Sequence, residues 1–166
     1  MPPLLLVRHA RAGARGSGPG DLERPLDERG RAQAEALPAA LAPILTQRPG
    51  TEPGGGTGTV VDVRSSPARR CIDTVRPLAA MLGTNVVVDP VLVEGCDVRV
   101  LHERIATLSV PTVWSSHGDV IPELLAMLGR RGLDLGPAPS CRKGSTWVLD
   151  VIDGTVRSAR SLPPPA

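Results

Sequence analysis

Two arginines and two histidines stand where a short apolar run or a helix start would present them. Arg8-His9 closes the run Leu4-Leu5-Leu6-Val7, Arg70 follows Ser66-Pro67, and His117-Gly118 closes Val113-Trp114-Ser115-Ser116. A phosphoryl group is the ligand such a set suits. Guanidinium forks and fixed charge hold its equatorial oxygens, and N–H groups at helix starts point at the anion. One of the two imidazoles can attack phosphorus as a nucleophile.

These residues need elements that bring them to one edge. The apolar run from Leu4 reads as a strand buried on both faces. Asp27 fits an N-cap for a helix over about 28–45, which Pro38 and Pro43 should kink or interrupt. Val60 to Ser65 reads as a second strand, and Ser66-Pro67 as N-cap and first helical residue of a helix that carries Arg70 and stops at Gly83. A third strand is expected over Asn85–Asp89, a helix over Val98–Leu108 and a strand over Val113–Ser116. Asp119 is placed to cap a helix over Val120–Leu128. Strands at Ser145–Val151 and Thr155–Ala159 flank Asp153-Gly154, a strong hairpin signal.

Strands alternating with helices predict an α/β three-layer sandwich, with a mostly parallel central sheet, helices on both faces and a C-terminal hairpin. Ligands of such sheets bind outside the carboxyl ends of the strands, the edge that receives Arg8, His9, the Ser66 helix start and His117. The expected organisation is a single domain over 1–162 with a disordered tail at 163–166. Gln47 to Thr59 reads as a flexible connection. The glycines between Ala12 and Gly20 match neither the dinucleotide fingerprint nor a Walker loop, and predict a mobile surface loop.

Composition narrows the function. At 166 residues the chain can bury a core of its own, roughly 70% of the surface its unfolded form exposes. A net charge of +2 gives no bulk drive toward nucleic acid, and with no Phe or Tyr and two Trp there is little on which bases could stack. Three widely spaced cysteines support neither a disulfide framework nor a zinc site, and reduced thiols are expected. No run approaches the roughly 18 apolar residues of a membrane span. Together these predict a soluble cytoplasmic protein that binds neither nucleic acid nor membrane.

The residues resemble the histidine phosphatase superfamily, which also contains the cofactor-dependent phosphoglycerate mutases. Leu6-Val7-Arg8-His9 is similar to its Arg-His-Gly signature, and Arg24-Pro25-Leu26-Asp27-Glu28-Arg29-Gly30 to its Arg-Pro-Leu-Thr-x-x-Gly segment. Ser66 to Thr74 matches Ser-Pro-x-x-Arg-x-x-x-Thr, which puts the family's second pocket arginine at Arg70, and Ser116-His117-Gly118 matches its second histidine. The short chain resembles the SixA-like branch. Arg142 to Trp147, with Arg24 to Leu37, is similar to the C-terminal phosphatase domain of some two-domain MutT-type Nudix hydrolases, here without a Nudix box.

The resemblance implies two-step phosphoryl transfer without metal or other cofactor, in which His9 is phosphorylated and water then releases phosphate. Arg8, Arg70 and His117 would hold the phosphoryl oxygens, joined by Gly118 and Lys143, the latter either a phosphate contact or a solvated charge. Glu94 is either the acid that protonates the leaving group or an ordinary loop carboxylate. Ala10 stands where the family has glycine after the histidine, and the family's Gly-Asp-Trp-Glu continuation is missing after Glu94. His102 reads as a surface residue.

The implied function is a phosphatase acting on a small phosphorylated metabolite, nucleotides among them, or on a phosphohistidine protein. The alternatives are a mutase of the phosphoglycerate type and a phosphate-binding module that does not turn over. The short chain disfavours the first, and the full set of histidines and arginines the second.

Overall fold

The computed structural model describes residues 2–16, 20–47, 58–137 and 139–165. Its first strand, β1 (Pro3–Arg8), explains the architecture. Leu4, Leu5, Leu6 and Val7 are all buried; Leu4 and Leu6 pack into one apolar cluster, Leu5 and Val7 into another on the opposite face. A fully buried leucine contributes roughly 2 kcal/mol relative to an exposed one, so this strand is stable only in the middle of a sheet covered on both sides.

The helices α1 (Glu28–Thr46) and α2 (Arg69–Met81) cover one face, and α3 (Val98–Ile105) and α4 (Val120–Arg130) the other. The remaining strands are β2 (Asp62–Ser65), β3 (Val86–Val88), β4 (Thr112–Ser116), β5 (Thr146–Ile152) and β6 (Thr155–Leu162). Their order is β3-β2-β4-β1-β5-β6, parallel from β3 to β1 and antiparallel for β5 and β6. This is the mostly parallel three-layer α/β sandwich expected from the sequence.

Its closing hairpin turns where expected: Asp153 and Gly154 have φ of 50° and 72°, the two left-handed positions that match the strand twist. The chain leaves β1 toward a helix on one face and leaves β4 toward a helix on the other, although β1 and β4 are neighbours. That divergence opens a crevice at their carboxyl ends.

Local departures from expectation have physical causes. The α1 helix runs through Pro38 and Pro43 uninterrupted, because Leu37, Leu41 and Leu45 hold its buried face to the sheet against the lost hydrogen bonds. Asp27 caps it as expected, accepting from the Gly30 amide at 2.7 Å. Ser66 is not the N-cap of α2: the helix starts at Arg69 after Ala68, which has no side-chain cap, and the Ser66 hydroxyl is taken up by His117. Asp119 precedes α4 without capping it, since its carboxylate accepts the Gly95 amide at 2.7 Å. Helix α3 stops at Ile105, short of Leu108.

Of the expected 47–59 connection, residues 48–57 lie outside the described residues, as do 17–19 of the glycine-rich loop. The described part of that loop is held at Ala12, which bridges Leu26. Pro163–Pro165 carry no regular secondary structure. Among the described residues no helix is long and apolar enough to cross a membrane.

Candidate active site

His9 follows the last residue of β1, its amide bonded to the Ser116 carbonyl of β4 at 3.0 Å, and the residue is 6% exposed. Nδ1 lies 2.8 Å from the carbonyl oxygen of Ala10. A carbonyl only accepts, so Nδ1 carries the proton and Nε2 keeps its lone pair. Burial, opposed in part by that hydrogen bond and reinforced by Arg70, His117 and Arg8, lowers the His9 pKa to about 3. The ring is therefore neutral at any ordinary pH, with an unprotonated Nε2.

The backbone beyond it is held on both sides. The Ala10 amide donates to Thr74 Oγ1 at 2.9 Å, and that hydroxyl donates to the Arg70 carbonyl at 2.6 Å, tying the strand end to α2. Gly30 lets α1 press on the same segment, since a Cβ there would lie 1.8 Å from the Arg11 carbonyl oxygen.

His117 follows β4, with its ring centroid 5.7 Å from that of His9 and the planes at 67°. Its Nε2 is 2.8 Å from Ser66 Oγ and its Nδ1 3.4 Å from Arg70 Nη2. Burial and then Arg70 hold its pKa below the ordinary histidine value, against Glu94, Asp119 and Asp21. Both rings are buried beside the same arginine, which disfavours protonation of either. An incoming phosphoryl anion favours protonation of the second.

Arg70 is 1% exposed and fully engaged at its fork. Nη1 donates to the Asp21 carbonyl at 2.9 Å, and Nη2 lies 3.1 Å from Asp21 Oδ2 and 3.5 Å from Glu94 Oε2. Desolvation works to raise the Asp21 carboxyl, but Arg70, Arg24 and Arg15 outweigh it and hold it below its usual value.

Arg8 donates through Nη1 to the Cys141 carbonyl at 2.6 Å. The Nε groups of Arg8 and Arg70, like that of Arg24, are buried without a partner among the described residues. A buried donor without an acceptor is costly, and two of these belong to side chains expected to receive oxygens. Gly118 lies against Arg8, where a Cβ would meet its Cζ at 2.5 Å.

Glu94 stands at the same edge, near Arg70 and 3.5 Å from Arg15 Nη2, with its loop pinned by the Gly95–Asp119 bond. Lys143 is exposed beside the site, because the Gly144 amide donates to the carbonyls of Arg8 and His9 at 3.2 and 3.1 Å. The fold thus brings Arg8, His9, Arg70, Glu94, His117, Gly118 and Lys143 to one sheet edge.

Sequence reasoning missed four contributors. Ser66 and Thr74 lay inside the matched motif, and the four-residue step from Arg70 to Thr74, one helical turn, was the usable signal. Asp21 and Arg15, in a segment without periodicity, gave none.

The profile of the Histidine phosphatase superfamily (branch 1) matches residues 4–100. The chain belongs to that superfamily. An 8-oxo-(d)GTP phosphatase of Mycolicibacterium smegmatis is 36% identical over 169 residues, covering 98% of this chain and 48% of the relative. The chain thus spans about half the length of that relative.

A protein histidine phosphatase SixA solved with tungstate shares the fold with a TM-score of 0.74 at 18% identity, over 98% of this chain and 97% of its own. A SixA-type protein of Agrobacterium tumefaciens gives 0.68 at 24% identity, over 90% and 92%. The family is thus the histidine phosphatase superfamily, and the fold is the one these SixA structures share.

Proposed function

We propose that this histidine phosphatase works through a phosphohistidine on His9. The observation that carries the reading is the Nδ1 bond to the Ala10 carbonyl, which leaves a bare Nε2 lone pair among buried arginine donors. In the first step Nε2 forms a bond to phosphorus, the bond from phosphorus to the leaving oxygen breaks, and that oxygen takes a proton from Glu94. In the second, the oxygen of a water bonds to phosphorus as the bond from phosphorus to Nε2 breaks, and that water gives a proton back to Glu94 as phosphate departs.

Arg8, Arg70 and His117 hold the equatorial oxygens, with the Gly118 amide and Lys143 as further contacts. Charge on those oxygens is met by fixed cations, so the reaction needs no metal.

The substrate we assign is a small phosphorylated metabolite, nucleotides among them, or a phosphohistidine protein. The nucleotide arm is supported by the M. smegmatis relative, named for a nucleotide substrate. Cys71, Cys96 and Cys141 are free thiols, which suits a cytoplasmic setting.

The test is phosphate release from nucleotides, sugar phosphates and a phosphohistidine protein, with and without EDTA, alongside rapid quenching with labelled substrate at alkaline pH. Label on His9 in wild type and in His117→Ala, and release indifferent to chelation, are expected. Label on His117, or on neither ring during turnover, would overturn the assignment.

A further inference from the structure

Beside the catalytic pocket lies a cleft of about 560 Å³ whose charged lining is entirely basic: Arg11, Arg29, Arg142 and Lys143. Ala32, Gln33 and the prolines Pro164 and Pro165 complete its walls. Only Arg11 has an acidic partner, Asp27 at 2.9 Å; among the described residues Arg29, Arg142 and Lys143 make no ion pair. A concave site of this size is in the range used for small ligands rather than for a flat protein epitope.

The cleft is fastened to the reacting centre by backbone. Arg11 is two residues beyond His9, its amide donating to Gln33 Oε1 at 3.0 Å. Lys143 precedes Gly144, whose amide reaches the carbonyls of Arg8 and His9. Gly144 has φ of 81°, and a Cβ there would lie 3.2 Å from the Gln33 side chain, so the turn and the cleft floor are packed together.

The electrostatics agree. Burial first, and after it Arg8, Arg24, Arg11 and Arg15, lower the Lys143 ammonium below its usual value, so part of the shift comes from like charges gathered around it. Such crowding opposes folding and is relieved when an anion binds.

We propose that this cleft is a second anion subsite, in which Arg29 and Arg142 bind a further phosphate of the substrate while the reacting phosphoryl group sits at His9. The substrate class is then a small molecule bearing a phosphate chain. A lone phosphomonoester fills only the catalytic pocket. This inference rests on the phosphatase reading for its catalytic half, but the binding half is separable.

Binding is measured by calorimetry on His9→Ala, which cannot form the covalent intermediate, with inorganic tripolyphosphate and orthophosphate as probes. Tripolyphosphate should bind at least about tenfold more tightly than orthophosphate, as expected for two or more added charge-assisted hydrogen bonds. Adding Arg29→Ala and Arg142→Ala, both exposed positions at which the fold should survive, should bring the two affinities within about threefold.

Equal affinities for the two probes in His9→Ala, or a preference that survives the double substitution, would overturn the subsite. In otherwise wild-type protein the same pair should leave hydrolysis of a small monophosphate within about twofold and lower kcat/KM on phosphate-chain substrates about tenfold. An effect confined to a phosphoprotein substrate, with tripolyphosphate binding untouched, would assign the cleft to a macromolecule and sink the proposal. Failure of all turnover in the wild type would fall on the phosphatase reading, and the calorimetry would still decide the subsite.

Discussion

The guanidinium of Arg8 lies so close to Gly118 that a β-carbon on the glycine would sit 2.5 Å from Arg8 Cζ and 2.6 Å from Nη2. The two strand ends thus interlock, with one contributing a cation and the other the absence of a side chain. Gly118→Ala should displace Arg8 and lower kcat by roughly a hundredfold, the scale of losing one oriented donor to a developing oxyanion. Steady-state kinetics beside a thermal melt checks it. A kcat within threefold of wild type would show that Arg8 is not used in this position.

Ser66 acts on His117 rather than on substrate, through the 2.8 Å contact to Nε2. Ser66→Ala should lower kcat about tenfold with little change in KM, as expected of a positioning residue. The imidazole resonances of His117 should show altered tautomer balance by NMR, which a merely structural serine would not produce. Ser66→Thr should restore part of both.

Arg70 uses both arms of a fork, on Asp21 and toward Glu94 and His117. A lysine carries the charge but not the fork. Arg70→Lys should therefore lower kcat/KM by about two orders of magnitude and shift the Glu94 and Asp21 segments. Retention of near wild-type kcat/KM would show that charge alone suffices.

Acid should destabilise the fold through His9. Its pKa is lowered from 6.5 to about 3 in the native state, so below pH 6.5 the unfolded chain binds a proton that the native one does not. The neutral ring costs no stability above pH 6.5, and its penalty grows as pH falls from 6.5 toward 3, reaching about 2 kcal/mol at pH 5. Urea unfolding at pH 7 and pH 5 should show wild type losing more stability than His9→Asn by about that amount. Equal losses would place the His9 pKa near its ordinary value.

Much of the architecture was legible because the strands announce themselves. The run at Leu4 has no polar face, which demands a covered central position, and Asp153-Gly154 specifies the turn it makes. The two histidines and two arginines were legible for a related reason: Arg8 ends an apolar strand, His9 and His117 directly follow one, and Arg70 lies at the start of the helix after one.

What sequence could not supply was the competition for hydrogen-bonding groups. Ser66 has the local signature of a cap, and only tertiary structure brings His117 to claim the hydroxyl. Asp119 is likewise diverted by Gly95, distant in sequence. Asp21 opens a single 3-10 turn, Asp21–Glu23, and Arg15 lies in loop, both too short or irregular for a period to constrain which way a side chain faces. The basic cleft joins residues from four separated segments, so no single motif could outline it.

The uniform character of β1 bears on how the chain finds its alignment. Because Leu4, Leu5 and Leu6 are identical, sliding the strand by one position would exchange its two faces at almost no hydrophobic penalty, while carrying His9 about 3.3 Å from its place. The apolar run therefore contains no ruler. The indexing falls to the polar end, where the Arg8 amide bonds to Ser145, the His9 amide to Ser116 and the Gly144 amide to both carbonyls. Loosening those few bonds would let a fully apolar, well-packed strand settle one step out, an inactive isomer of the same fold.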